Sequence, residues 1–161
     1  MIQIDRSANH CHLTRYMAVK IFGDALHHLQ LKELAITGEY ATNLKVTDYR
    51  GNKYTVLYPW RDYSQIEVAA SDYYKLFSYH PTRRSSGDLI STKTLQLEGT
   101  EFRIPVIVVR PHIHIPPGKK DTFTLAQLDF PFKLDVKYTP TTDNEPHIHL
   151  DTDQYAAIQG I

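Results

Sequence analysis

The spacing of the histidines is the feature of this sequence that most directly suggests chemistry. Six of the nine histidines stand in three His-x-His triplets, at residues 10–12, 112–114 and 147–149, whereas random placement would give about half of one such pair. On a β-strand, residues i and i+2 point to the same face, so the two imidazoles of a triplet can bind one cation. A single triplet is more often the polar face of a half-buried strand. Three triplets in one small chain favour a metal site over that interpretation and over a pH-sensing cluster.

A few other residues could complete such a site. Glu67 is the only acid within the apolar run SQIEV, a setting in which an acid is more often solvent-facing or paired than a metal ligand. Arg61 would most often form a surface salt bridge. Cys11 alternates with His10 and His12, so it should face the core. Because Cys11 is the only cysteine, an internal disulfide framework and a Cys/His zinc knuckle are excluded.

The composition is that of a globular protein with one domain or two small ones. The chain has 161 residues, with 18 Lys+Arg against 18 Asp+Glu and therefore zero formal charge. A surface that binds nucleic acid normally carries excess base, so this neutrality argues against a nucleic acid partner. No apolar run approaches the roughly 18 residues that indicate a membrane span, and the N-terminus lacks the features of a secretory signal. The sequence thus predicts a cytoplasmic protein with no membrane partner.

The residues between the triplets indicate a mainly β chain. Residues 16–34 are the strongest helical candidate, broken near Gly23, which disfavours one unbroken helix, and two short helices or turns fit as well. Residues 69–77 and 151–158 predict a short helix and a helical turn. Segments rich in Val, Thr, Tyr and Ile, separated by turn signals, predict short strands, whose even spacing favours β-barrels or a β-sandwich. These segments are 1–4, 42–47, 53–57, 64–68, 94–97, 102–109, 113–115, 132–138 and 147–150.

Six motifs, in order along nearly the whole chain, carry a family resemblance. ANHCHLT (8–14) is similar to NRHVHLS, GEYA (38–41) to GQFA, YPWRDYSQIEV (58–68) to GPxRxxTQVEI, SGDL (86–89) to SGDL, VIVVRPHIHI (106–115) to VIVAxRHIHM, and HLDTDQYA (149–156) to HIDTDEAN. The second pattern in each pair is that of the PduL-type phosphate acyltransferases, or phosphotransacylases. These are the zinc enzymes best known as phosphate propanoyltransferases, and the sequence resembles them.

The resemblance implies a dinuclear site with two Zn²⁺ ions per chain, although imidazole and carboxylate ligands admit other divalent ions. It implies a first ion with a fourth position for the CoA sulfur or water, and a second ion completed by water or phosphate. The ligands would be His10, His12 and Glu67 for the first ion, and His112, His114 and His149 for the second. Arg61 stands where the family keeps its phosphate-binding arginine, and it is the predicted catalytic residue. His147 and Asn9 lie next to ligands in the sequence, and we expect them to support those ligands, or His147 to lie at the surface.

The resemblance also implies a reaction and a fold. The reaction interconverts acyl-CoA and phosphate with acyl phosphate and CoA, by direct attack of phosphate. It needs no Ser or Cys nucleophile, and the sequence has no GxSxG motif. The fold is mainly β, with two small β-barrels, short capping helices and the active site between them. We expect the first barrel over residues 10–105 and the second over 106–161, joined by an N-terminal strand over residues 1–9. The expected partners are acyl-CoA or CoA and phosphate, and the sequence is compatible with a homodimer.

This sequence departs from the family pattern at several positions. Asn9 replaces an arginine before the first triplet, Pro111 precedes the second, and Tyr155 alters the last motif. The stretch after SGDL lacks the usual EGSPG. None of these changes removes a predicted ligand, but they bear on the acyl-CoA preference. Because the first motif lies close to the first residue, we expect a free cytosolic enzyme rather than one inside a microcompartment.

Other functions fit part of the pattern. The triplet of His112 and His114 is enough by itself to satisfy the motif of HUH single-strand nucleases, which bind one metal beside a catalytic tyrosine. The neutral charge of the chain and the presence of the other triplets argue against a nuclease. A non-catalytic β-rich assembly protein could clamp metal between subunits with rings of histidines, which would leave Glu67 and Arg61 far from the metal. A cupin would need Gly and Glu positions that are missing here.

Overall fold

The computed structural model describes residues 3–34, 38–116, 118–119, 127, 130–138 and 146–159. The strands are β1 (Gln3–Ser7), β2 (His10–His12), β3 (Leu31–Glu33), β4 (Tyr40–Thr47), β5 (Lys53–Tyr58), β6 (Gln65–Glu67), β7 (Lys93–Gln96), β8 (Arg103–Ile107), β9 (His112–Ile115), β10 (Asp135–Tyr138) and β11 (His147–Asp151). The helices are α1 (Arg15–Phe22), a 3-10 helix (Gly23–His28), α2 (Ala70–Phe77) and α3 (Thr152–Gln159). The predicted mainly β chain with short helices is confirmed.

The larger sheet has seven strands in the order β3-β4-β5-β2-β6-β8-β7. Alternation along its strands buries one face, as in β4, where Leu44 and Val46 are buried and Lys45 is exposed. A hydrophobic core lies against that face, and α1 and α2 pack on it. Its most buried members include Cys11, Val56, Ile66, Ile104 and Val106. The middle residue of the first triplet is therefore a core residue, as predicted for Cys11.

The smaller sheet has four strands in the order β1-β11-β9-β10. The first strand of the chain pairs in parallel with the last one, and β11 runs antiparallel to β9. A separate core lies on one face of this sheet, where Ile113 and Ile148 are almost fully buried. These two isoleucines are the middle residues of the second and third triplets. Because side chains alternate along a strand, the histidines of both triplets share the other face.

The helical candidate over residues 16–34 is divided in the structure, and the break predicted near Gly23 is confirmed. The side chain of Thr14 accepts a hydrogen bond from the backbone N–H of Met17 and caps α1. The helix ends at Phe22, and the residue that caps it, Gly23, has a φ of 51°. After the 3-10 helix, β3 adds to the edge of the larger sheet by pairing with β4. Of the leucines in this segment, Leu26 lies in the 3-10 helix and Leu31 in β3.

No helix in the described parts of the chain is both long and apolar enough to cross a membrane.

The predicted pair of barrels is not confirmed. The strand pairings of the described residues form two open sheets. One isolated bridge, from Asp48 to Leu97, joins the end of β4 to the residue after β7. The expected boundary between residues 105 and 106 falls within β8, whose residues 106 and 107 pair in the larger sheet. The division into two domains, which also includes residues outside the described ranges, stays a prediction.

The burial of Cys11 predicts its reactivity. Burial raises the pKa of its thiol well above the usual value, and the thiolate is the reactive form. We expect 5,5′-dithiobis(2-nitrobenzoate) at pH 8 to label the folded protein orders of magnitude more slowly than protein unfolded in guanidinium. The absorbance of the released dye measures both rates. Immediate labelling of the folded protein would contradict the core position of this residue.

Candidate metal centre

A cleft of about 430 Å³ is lined by residues of both sheets. From the larger sheet it receives His10, His12 and Glu67, and from the smaller sheet it receives His112, His114 and His149. Arg61 lines the same cleft. The structure therefore brings together the residues that the family resemblance assigns to the two metal groups and to phosphate binding.

The first histidine group is formed by two neighbouring strands. β2 runs antiparallel to β6, and the register places His10 directly opposite Glu67. Glu67 Oε2 lies 3.2 Å from His10 Nε2 and 2.8 Å from His12 Nε2, and the two Nε2 atoms are 3.1 Å apart. Ligands of a tetrahedral zinc ion with bonds near 2.0–2.1 Å lie roughly 3.3 Å from one another. These three side chains thus fit a divalent cation and leave a position for a fourth ligand.

Local contacts orient the members of this group. His10 Nδ1 lies 2.8 Å from the carbonyl oxygen of Ala8, a contact that leaves Nε2 to face the other ligands. Gln65, which is fully buried, donates a hydrogen bond of 2.9 Å to Glu67 Oε2. Burial would raise the pKa of Glu67, but His10 and His12 lower it well below the usual value. The acid is therefore ionised at neutral pH and can serve as an anionic ligand.

The second group lies on the histidine face of the smaller sheet. In the register between β9 and β11, His112 is opposite His149 and His114 is opposite His147. The rings of His112, His114 and His149 have centroids 4.7–5.2 Å apart. His112 Nδ1 lies 3.0 Å from the carbonyl oxygen of Arg110, which repeats the contact between His10 and Ala8. In both triplets the first histidine, His10 or His112, thus points its Nε2 away from its own strand.

The imidazoles of this second group are neutral at neutral pH. Burial, together with neighbouring positive groups, lowers the pKa of His112 to about 4, that of His114 to about 3 and that of His149 to about 2. A neutral imidazole offers a nitrogen lone pair, which is what a transition metal ion requires. The three imidazoles that the family resemblance implies as ligands can therefore each donate a lone pair to a cation.

His147 does not lie at the surface. It is 3% exposed, and its Nδ1 lies 3.4 Å from Asp5 Oδ2 on β1. Among the described residues, two groups of three offer ligand atoms that all lie within 4.8 Å of one another. One is the His10, His12 and Glu67 group, and the other is Asp5, His147 and His149. Asp5 was not predicted as a site residue, because its proximity depends on the pairing of β1 with β11, and no local spacing reveals that pairing.

Arg61 is held by two polar neighbours in the cleft. Its Nη2 donates to Glu39 Oε1 at 2.7 Å, and its Nη1 donates to the Tyr63 hydroxyl at 2.9 Å. Burial would lower the pKa of Arg61, but Glu39 and Tyr63 raise it, so the guanidinium keeps its charge. The expected surface salt bridge is therefore a half-buried ion pair inside the cleft.

A hydrogen-bond chain links Arg61 to the first histidine group. The hydroxyls of Tyr63 and Ser86 lie 3.0 Å apart, and Gln65 donates to both Ser86 Oγ and Glu67 Oε2. The backbone N–H of Gly87 donates to Gln65 Oε1. Gly87 has a φ of 85°, and an added Cβ would lie 3.1 Å from the Tyr63 ring, so this position requires glycine. The motifs RDYSQIEV and SGDL contained this signal, since they supply Tyr63, Gln65 and Ser86.

Asn9 contacts the start of α2 rather than a histidine. Its Oδ1 accepts a hydrogen bond from the backbone N–H of Ala69, and its Nδ2 donates to Asp72 Oδ2. The side chain therefore fixes the beginning of β2 against the helix that follows β6. This contact supports the placement of His10 through the backbone.

The sequence model of the phosphate propanoyltransferase family matches residues 3–160 of this chain. The chain belongs to this family. Proteins named phosphate propanoyltransferase from Clostridioides difficile, Lachnoclostridium phytofermentans and Limosilactobacillus reuteri are 27%, 30% and 32% identical to it. The matches cover 95%, 98% and 96% of this chain and 81%, 82% and 80% of those proteins, respectively. The family resemblance of the six motifs is thus confirmed, and the family is one of acyltransferases by name.

The first histidine group predicts a measurable loss of cation affinity in Glu67→Gln. The amide keeps the size of the side chain but removes the anionic ligand, so we expect Zn²⁺ or Co²⁺ to bind this group at least about 10-fold more weakly. Isothermal titration of chelator-treated protein measures the change. Glu33→Gln, which changes an exposed acid on β3, is the matched control. Equal titration curves for all three proteins would exclude Glu67 as a ligand.

Proposed function

We propose that this protein is a phosphate acyltransferase that interconverts a short-chain acyl-CoA and phosphate with an acyl phosphate and CoA. The observation that carries the proposal is the placement of two histidine groups and Arg61 around one cleft in a member of the phosphate propanoyltransferase family. The name of the relatives, phosphate propanoyltransferase, supports propanoyl as one acyl group. Membership of this family does not favour a single-strand nuclease or a non-catalytic assembly protein.

In this proposal each histidine group binds one divalent cation, with zinc as the expected ion. The distances of 2.8–3.2 Å within the first group support this assignment, as do the neutral imidazoles of His112, His114 and His149. A divalent cation bound at these groups would supply Lewis acidity, which stabilises a developing oxyanion and a leaving thiolate.

Arg61 is the proposed phosphate-binding residue. A guanidinium has five N–H donors, and the contacts with Glu39 and Tyr63 occupy one on Nη2 and one on Nη1. The others are suited to the paired oxygens of a phosphate. Lys137 on β10 lines the same cleft and adds a second positive charge. These two cations would attract and orient an anion beside the histidine groups.

The reaction itself needs no covalent enzyme intermediate. An oxygen of hydrogen phosphate attacks the thioester carbonyl carbon, a C–O bond forms, and the C–S bond breaks. The proton of the hydrogen phosphate finally resides on the released CoA thiol, so atoms and charges balance. The role of the chain is to hold two anionic substrates in contact within a half-buried cleft, which lowers the barrier by orientation and electrostatic stabilisation.

Several finer predictions belong to this proposal. They are the two zinc ions per chain, the two-barrel architecture with its boundary near residues 105 and 106, the cytoplasmic location and a homodimer.

The direct test of the proposal is thiol release from acetyl-CoA or propanoyl-CoA. We expect release that requires phosphate, that stops after treatment with a strong chelator, and that returns when Zn²⁺ or Co²⁺ is added. Buried Cys11 should contribute little to the thiol signal during the assay. Release that is independent of phosphate would indicate a thioesterase, and no release with either substrate would contradict the proposed function.

Variants at Arg61 and Glu39 test phosphate binding. Removing a charged hydrogen-bonding group costs about 1.5–3 kcal/mol, so Arg61→Ala should raise the KM for phosphate or lower kcat by about 10- to 100-fold. Glu39→Gln should lower the KM for phosphate, because it removes the acid that neutralises Arg61. Arg103→Ala, at an exposed position of β8, is the control. The metal content of all variants should match the unmodified protein, and an unchanged KM and kcat in Arg61→Ala would exclude its role.

A further inference from the structure

His147 is a buried histidine that the proposed reaction does not use. It lies on β11 with 3% of its surface exposed, in a position one residue away from the core residue Ile148. Its Nε2 and the Nε2 of His149 are both buried, and neither has a hydrogen-bond partner among the described residues. A buried polar nitrogen without a partner is costly. An apolar side chain at this position would avoid that cost. The presence of a histidine therefore indicates that its side chain binds a ligand.

The neighbours of His147 form a metal-binding donor set. The parallel register of β1 and β11 places Asp5 directly opposite His149, and hence on the same face as His147. Asp5 Oδ2 lies 3.4 Å from His147 Nδ1, and one ligand atom from each of Asp5, His147 and His149 lies within 4.8 Å of the other two. Two imidazoles and a carboxylate are the same donor types as in the His10, His12 and Glu67 group.

The burial of this group distinguishes it from a chance surface cluster. Both histidines are at most 8% exposed, and the side chain of Asp5 is 18% exposed. The three residues come from two paired strands, so their positions are fixed by the backbone of the sheet. A side chain on a rigid sheet loses less entropy on binding a cation than one on a flexible loop.

We propose that Asp5, His147 and His149 bind a divalent cation of the zinc type. The site adjoins the His112, His114 and His149 set through the shared His149. When both sites are filled, this imidazole would bridge the two cations through its two ring nitrogens and would release its N–H proton to solvent. Binding of this cation does not depend on the acyltransferase activity. Because two cations so close to each other repel, we expect the two neighbouring sites to fill with different affinities. In the full chain, this cation would tie the first strand to the last one.

The test is a cation count on the full-length chain after removal of metal by a chelator. Co²⁺ is titrated into the unmodified protein, His147→Gln and Asp5→Asn, and the bound ion is measured by visible absorption and by elemental analysis after dialysis. Both variants should bind one equivalent fewer per chain, or should need at least 10-fold more free Co²⁺ for one step of the titration. His27→Gln, at an exposed position of the 3-10 helix, should titrate like the unmodified protein.

Two further measurements keep the result interpretable. Circular dichroism reports whether each variant folds, and Asp5→Asn, which is nearly isosteric, decides the question if His147→Gln does not fold. A double variant that combines Asp5→Asn with His10→Gln should lose cation binding at both groups, because Asp5 lies in the smaller sheet and His10 in the larger one. Titrations of folded Asp5→Asn and His147→Gln that match the unmodified protein would overturn the site. This outcome is distinct from failure of the proposed function, which the thiol-release assay reports separately.

Discussion

In each histidine triplet the middle residue is buried in a hydrophobic core, and this forces both histidines to the opposite face of the strand. Cys11 has this position in the larger sheet, and Ile113 and Ile148 have it in the smaller one. The strand pairings then bring the imidazoles of different triplets together. The placement of the imidazoles therefore depends on apolar burial and strand register more than on contacts between the histidines themselves.

The two sides of the cleft differ in electrostatic character. The first histidine group contains an ionised carboxylate, Glu67, which would offset part of the charge of a bound cation. The set of His112, His114 and His149 is neutral, so a cation there would keep its full charge and attract an anion more strongly. Arg61 is connected to the first group through Tyr63, Ser86 and Gln65. A change at any member of this chain would therefore affect both anion binding and the orientation of Glu67.

Features that depend on local alternation could be predicted from the sequence, whereas pairings between distant segments were either implied by the family resemblance or missed. The triplet strands and the core position of Cys11 follow from residue spacing alone, whereas the grouping of Glu67 with His10 and His12 came from the family resemblance. Asp5 and Glu39 escaped prediction, because each approaches its partner only when separate parts of the chain fold together. The break at Gly23 in the segment 16–34 was predicted, but strand β3 was not, because its pairing with β4 is not visible in local spacing.

The smaller sheet is built from opposite ends of the described chain, since β1 pairs with β11 along its whole length. Protein synthesis proceeds from the N-terminus, so β1 leaves the ribosome long before its partner exists. During that interval its backbone hydrogen-bonding groups lack their final partner strand, while the larger sheet can already form around β2. The cleft should therefore form late, in a step that follows synthesis of β11 and its pairing with β1.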